Sequence, residues 1–204
     1  MDARNAQFAW ESSEVHPLIR NPIIRVILLD CSESMRPYGS VARSTLNASL
    51  RRIARGPNAY RTYFTLIGFG DDATTLVPFA RVSAAQPVRE LPFSPRTRLT
   101  ETSYAVLAAC RALCDGLVRE QRDPECSISL MTDGMDNVSH HRYERLLRQL
   151  AEELQTRSFR LQLYTMGVEA RSLARTLGFP TDTCVELVPS QQSVSWTMDH
   201  ILRP

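Results

Sequence analysis

Apolar runs of strand length recur along the chain at Ile23 to Leu29, Phe64 to Phe69, Ser127 to Met131, Phe159 to Met166 and Cys184 to Val188, with a weaker one at Thr74 to Phe79. Between most of them the apolar positions change to helical spacing. Leu46, Leu50 and Ile53 share one helical face, as do Tyr143, Leu146, Leu147, Leu150 and Leu154, and later Val194, Met198, Ile201 and Leu202. Ser103 to Val118 also reads as a helix, with Ala105, Ala109 and Ala112 forming a small-residue face suited to lying close on a sheet. Strands alternating with helices predict an α/β fold: a doubly wound, mostly parallel sheet with helices on both faces.

Thr62 to Phe79 breaks the alternation. Two strand-like runs meet there at Gly70-Asp71-Asp72 without room for a helix, which predicts a hairpin and hence one antiparallel edge strand. Pro87 to Arg98 is a long irregular stretch carrying Pro87, Pro92 and Pro95, and loops of that length inside a domain are often functional. A length of 204 residues with 43% hydrophobic content suits one sizeable core. Residues 1 to 22 are expected to form an N-terminal arm and residues 23 to 204 a single domain.

Composition narrows the chemistry. A formal net charge of +2, with no basic run, gives no field for holding nucleic acid, so no nucleic-acid partner is expected. The N-terminal stretch MDARNAQFAWESSEVHPLIRNP contains no apolar segment of signal-peptide or membrane length, which leads to an expectation of a cytoplasmic protein with no membrane partner. Every basic side chain other than histidine is Arg, and the absence of Lys removes Schiff-base and phosphate-loop lysine chemistry. Five cysteines, an odd number without a Cys-x-x-Cys pair, fit reduced thiols.

The candidate chemistry lies where strands end. In the stretch VILLDCSESM, an apolar strand stops at Asp30 and is followed by Ser32 and Ser34, three hard oxygen donors on one turn. A second strand repeats the pattern, with Ile128 to Met131 running into Thr132-Asp133-Gly134. Between the two comes Thr100, in a polar stretch just before the helix expected near Ser103. Ligands of open α/β sheets sit beyond the carboxyl ends of the strands. Asp30, Ser32, Ser34, Thr100 and Asp133 can therefore surround one hard cation, Mg²⁺ or Mn²⁺, which takes six oxygens, some of them from water. Taken alone, Asp-x-Ser-x-Ser also suits a helix cap.

With their strand contexts and in this order, DCSESM, LTETSYAVLA and LMTDG resemble the von Willebrand factor type A (VWA) domain and its metal-ion-dependent adhesion site, over roughly Ile23 to Leu202. The resemblance implies a Rossmann-like sheet with one antiparallel edge strand. It implies Asp30, Ser32 and Ser34 as the first metal loop, Thr100 as the second and Asp133 as the third, with a partner's carboxylate completing the shell. Two departures stand out. Glu33 occupies a position where many members carry a small residue and places a negative charge near the metal. Arg98-Leu99 replaces the Gly pair that often precedes the second-loop threonine, leaving Thr102 as an alternative to Thr100.

By this resemblance the chain is expected to be a bacterial adaptor and not an enzyme, similar to standalone intracellular VWA proteins of the tellurite-resistance-associated type. Its partner would supply an Asp or Glu to the metal and would be a kinase, a phosphatase or an AAA-type ATPase of the same stress-response or signalling system. Two other classes stay open. A metal-dependent hydrolase or phosphatase could use the same strand-end Asp30, although Ser32 stands where haloacid-dehalogenase-type phosphatases carry a second acid, and no Gly-x-Ser-x-Gly, Cys-x5-Arg or phosphate-loop motif is present. A metal-free structural VWA subunit of an ATPase-associated complex is the other. Cys110 and Cys114 read as core residues, His140-His141 as exposed or loop-packed, Glu152-Glu153 as a solvated helix face, and Trp196 as either a packing residue or a partner contact.

Overall fold

Strand β1 (Ile23–Asp30) shows why the central apolar run is continuous: its side chains alternate between two faces, and both faces are covered. Ile24, Val26 and Leu28 join one core, while Ile27 and Leu29 join another. The computed structural model describes residues 8–134, 139, 141–157 and 159–202. Its other strands are β2 (Thr62–Phe69), β3 (Ala73–Arg81), β4 (Glu125–Thr132), β5 (Arg160–Met166) and β6 (Cys184–Leu187), in one sheet of order β3-β2-β1-β4-β5-β6. All pairings are parallel except that of β2 with β3. The edge strand tolerates Pro78, which lacks a ladder donor, at a register shift opposite Phe64 to Leu66.

Helices α1 (Gly39–Ile53) and α5 (Gln191–Ile201) cover one face through Leu46, Leu50, Val194, Met198 and Ile201. Helices α2 (Leu99–Arg119), α3 (His141–Gln155) and α4 (Ala170–Leu177) cover the other through Val106, Cys110, Leu113, Leu147, Leu150, Leu173 and Leu177. The chain therefore leaves β1 and β4 toward opposite faces, and the crevice between their carboxyl ends is the switch point of the sheet. No helix among the described residues is long and apolar enough to cross a membrane.

Four local expectations need correction or completion. Helix α2 starts at Leu99, a turn earlier than Ser103, because Leu99 is itself fully buried and the turn before it is tied down by Arg98. The face that α2 buries is the Val106, Cys110, Leu113 and Leu117 stripe; Ala112 is exposed and Ala109 only half-buried. Helix α4 has no counterpart among the expected elements. It is eight residues long and ends at Gly178, where a φ of +75° and the 2.8 Å that would separate an added Cβ from the Arg148 backbone both call for glycine. Finally, the segment expected as an arm, residues 1 to 22, is from Phe8 onward part of the core: Phe8, Val15 and Ile19 are buried, and Trp10 stacks on Phe79 at 5.7 Å.

All five cysteines are free. Cys110, Cys114 and Cys126 are buried together; the hydrogen bond with Cys126 and then burial raise the Cys114 thiol, and the hydrogen bond with Cys110 and then burial raise the Cys126 thiol. Glu153 is bound by Arg111 and Arg157, so that helix face is laced with ion pairs. His140 lies outside the described residues, and His141 is exposed at the start of α3.

Candidate metal centre

β1 ends on Asp30, whose carboxylate is 1% exposed. Its two oxygens are held separately: Oδ1 accepts from the backbone N–H of Ser32 at 2.7 Å, and Oδ2 accepts from the Thr132 hydroxyl at 2.5 Å. Thr132, the last residue of β4 and fully buried, accepts in turn from the N–H of Gly134 at 3.2 Å. Burial raises the Asp30 pKa, the hydrogen bonds from Thr132 and Ser32 oppose that shift, and the nearby charge of Asp133 adds to it.

After Asp30 the chain continues the sheet for one residue, with Cys31 N–H donating to Phe69 at 2.7 Å, and then turns into a short 3₁₀ helix (Glu33–Tyr38) anchored by buried Met35. Ser32 stands at the cap position of that helix, yet its hydroxyl makes no cap bond. It faces Ser34 Oγ at 3.1 Å instead, and both hydroxyls converge on Asp133 Oδ1, at 3.3 Å from Ser32 and 3.0 Å from Ser34. The helix-cap alternative therefore fails for Ser32. Asp30 is sealed within the sheet, Ser32 is buried and Ser34 is exposed, so the cluster opens to solvent on the Ser34 side.

Thr100 sits in the first turn of α2 and is buried. That turn is fixed to the same end of the sheet on two sides. Arg98 donates from its backbone N–H to Gly70 at 3.0 Å and from Nε to the Asp71 carbonyl at 2.5 Å, and the Glu101 N–H donates to Ser139 at 3.2 Å, in the connection that follows Asp133. Arg98 also pairs with Glu101 at 3.1 Å. The Arg98-Leu99 departure thus has a structural role: one residue clamps the turn and the other fills the core. Thr102 is buried as well, but it lies about 200° from Thr100 around the helix, so the two cannot face the same ligand.

The irregular stretch before α2 closes the site from behind. Ser94 bridges to Ser32, donates its N–H to the Cys31 carbonyl at 2.9 Å and accepts from Asp71 N–H at its hydroxyl at 2.8 Å. Gly70 is required there, since a Cβ on it would stand 2.0 Å from Ser94 Oγ. Glu33, expected to place a negative charge near the metal, is held by Arg36 through two bonds of 2.6 and 2.8 Å, and Arg36 lies over the ring of Phe93. Arg36 holds the Glu33 carboxyl below the usual range.

The structure thus brings Asp30, Ser32, Ser34 and Asp133 together through hydrogen bonds and places Thr100 at the same end of the sheet. Thr132 is an addition, a positioning residue whose signal was its place at the end of a strand beside the Asp133 carboxylate. Among the described residues no cluster of three or more His, Cys, Asp or Glu side chains could hold a metal. The donor set here is two carboxylates and several hydroxyls, a hard-oxygen set that suits Mg²⁺ or Mn²⁺. Cys31 supplies no nucleophile, since burial and the Asp30 charge push its thiol up to about 12.

No protein-family model matches the chain, and no curated protein matches it by sequence. Solved structures do. Proximal thread matrix protein 1 from the mussel byssus superposes with a TM-score of 0.60 at 14% identity over 90% of this chain and 47% of that one, so this chain spans about half of its length. A second structure of that protein has a zinc-occupied MIDAS motif. The VWA domain of SpRpn10 superposes with a TM-score of 0.52 at 18% identity over 85% of this chain and 92% of that one. A von Willebrand factor type A protein from Catenulispora acidiphila gives 0.59 at 14% identity, over 89% and 42% of the two chains. The fold is that of VWA domains: six strands, mostly parallel, one antiparallel pair and helices on both faces.

Proposed function

We propose that the protein is an interaction module that binds Mg²⁺ or Mn²⁺ through Asp30, Ser32, Ser34, Thr100 and Asp133 and uses the ion to capture an Asp or Glu of a partner protein. One observation carries this. Ser32 Oγ, Ser34 Oγ and Asp133 Oδ1 form a nearly equilateral triangle with edges of 3.1, 3.3 and 3.0 Å. Adjacent oxygens around an octahedral Mg²⁺ are separated by about 2.9 Å, so these three are already spaced as neighbouring ligands of one ion. Two carboxylates and three hydroxyls neutralise a dication without overcharging it and fill five of its six positions, which leaves one position for a carboxylate from outside. The zinc-occupied MIDAS of the mussel protein supports the same use of this fold.

Binding rather than catalysis is supported by the state of Asp30. Both its oxygens accept hydrogen bonds and the group is 1% exposed, so it is positioned to hold the site and not to attack a substrate. As the setting we propose a bacterial, cytoplasmic stress-response or signalling system, with a kinase, phosphatase or AAA-type ATPase presenting the carboxylate. The test is calorimetric titration with Mg²⁺ and thermal melting. With a dissociation constant of order 1 mM, 10 mM Mg²⁺ adds about 1.4 kcal/mol, a melting shift of roughly 2 to 4 °C for a domain of this size. Asp133→Ala abolishes the shift. An unchanged shift in that variant, or partner capture at full strength in EDTA, would sink the proposal.

A further inference from the structure

The end of the sheet opposite the candidate metal centre, where β1 and β2 begin and β3 ends, displays apolar side chains on fixed turns. Leu18 is 82% exposed and Tyr60 61%, and both line one cleft of about 430 Å³ together with His16, Arg20, Asn21 and Arg81. Neither exposure comes from a loose segment. Val15 and Ile19, on either side of Leu18, are buried in the core, and the buried Arg122 donates to the Val15 and His16 carbonyls at 3.0 and 3.4 Å. The His16 N–H donates to the Tyr63 hydroxyl at 2.8 Å. Tyr60 stands on a 3₁₀ turn (Ala59–Arg61) where the Arg61 N–H and the Thr62 hydroxyl both donate to the Asn58 carbonyl, at 3.1 and 2.8 Å. Large apolar side chains held out into solvent and rimmed by polar groups mark an interaction surface.

We infer that this cleft docks an acidic segment of a partner protein, with an apolar residue of the segment against Leu18 and Tyr60 and its carboxylates on Arg20 and Arg81. Charge selects the partner. Arg20 and Arg81 make no side-chain hydrogen bond or ion pair among the described residues, and no acidic side chain among those residues lines the cleft. Of the acids nearby, Glu125 is drawn to Arg61 at 3.0 Å, and Asp123 lines the neighbouring cleft at the start of β4. His16 accepts the Leu18 N–H at Nδ1 at 3.3 Å, which in the neutral ring leaves Nε2 to carry the proton and donate to an incoming carboxylate. A guanidinium takes a carboxylate through two parallel bonds, and clustered arginines are a recurring means of reading acidic motifs. A membrane surface fits less well, since electrostatic anchoring takes clusters of about four to eight basic residues and this cleft offers two arginines.

β1 spans about 23 Å from Ile23 to Asp30, so the cleft and the metal centre are separate surfaces and this inference does not depend on the metal reading. The experiment pans the full chain against random peptides displayed on phage, in EDTA, where the metal centre cannot capture a carboxylate. The selected peptides should be enriched in Asp and Glu beside Leu or Phe. The strongest, synthesised and followed by fluorescence anisotropy, should bind with a dissociation constant below about 100 μM. Arg81→Gln and Leu18→Ser should each weaken it roughly tenfold with the melting temperature unchanged, and Arg20→Gln carries the same expectation at an exposed position where folding is not at stake. Arg171→Gln, which removes the same charge from an exposed position on α4, should leave binding unchanged. Selection of peptides without acids, full binding after their Asp and Glu are changed to Asn and Gln, or an equal loss in Arg171→Gln would overturn the assignment. So would Arg81-dependent sedimentation with phosphatidylserine vesicles in the absence of peptide binding, which would move the contact to a membrane surface.

Discussion

Thr132 and Asp30 meet at the ends of two adjacent strands, the hydroxyl donating to Oδ2 at 2.5 Å while the N–H of Gly134 is donated back to the same hydroxyl. The bond couples the first and third candidate metal loops through the sheet itself. It also settles where the second oxygen of a nearly sealed carboxylate finds its donor. Thr132→Val keeps the β-branched shape but leaves Asp30 Oδ2 and the Gly134 N–H without that partner. The expected cost is about 1 to 3 kcal/mol in urea denaturation. Mg²⁺ affinity, read by calorimetry, should fall roughly 10-fold or more, as it does when the supports of metal ligands are removed.

Asp30→Asn separates the stability of the site from its use. In the metal-free protein the folded-state pKa of Asp30 lies above the ordinary carboxylate value, mainly through burial. The folded chain then holds that proton more tightly than the unfolded chain. The contribution to stability is therefore present below a pH of about 4 and is lost as pH rises through the folded-state pKa. Asn retains an acceptor for Ser32 and donates to Thr132, so the variant should lack this loss and melt higher than wild type at neutral pH in EDTA. It should show no Mg²⁺-dependent shift. A lower melting temperature in EDTA at pH 7 would contradict the burial argument.

Gly70→Ala tests the closure behind the metal loops. The new Cβ would meet Ser94 Oγ at 2.0 Å, so the hydroxyl has to turn away and give up its bond from Asp71. A loss of about 1 to 2 kcal/mol is expected. In a Ser94→Ala background the nearest remaining contacts are 3.3 Å, to the Cys31 carbonyl and Ser94 Cβ, and the added cost of Gly70→Ala should shrink. Equal costs in both backgrounds would show that the Ser94 hydroxyl is not the obstacle.

Glu33→Gln releases Arg36 from its two-bond pair on the exposed 3₁₀ helix. Such a pair between two exposed side chains contributes little to stability, so the urea midpoint should be unchanged. Association with a carboxylate-bearing partner should become several-fold faster at low salt, with the gain fading at high salt, when followed by stopped flow.

Asp30 and Asp133 are legible in the sequence because a fully buried strand that stops at a carboxylate violates its own pattern. The sheet is equally legible, since its inner strands β1 and β2 are buried on both faces and its edge hairpin leaves no room for a helix. Other features depend on register or on distant neighbours. Thr132 reads as an ordinary strand residue until β4 is laid beside β1. The partner of Glu33 is only three residues away, at a spacing that could have been read as a local ion pair. Helix α4 offers a single repeat of the helical period, too short to stand out. The early start of α2 depends on Arg98 reaching Gly70 and Asp71, contacts between segments nearly thirty residues apart.

β1 pairs with β2 on one side and β4 on the other along nearly its whole length. Amides of Val26 to Leu29 therefore lie in the most cooperative part of the sheet, where hydrogen exchange requires global opening, while the turns at Cys31 to Tyr38 and Asp133-Gly134 can open alone. In exchange terms, arrival or loss of a ligand should be written in those turns and be nearly silent in β1. The same division makes the turns the place where a protease cut or an inserted loop would dismantle the candidate site while leaving the sheet folded.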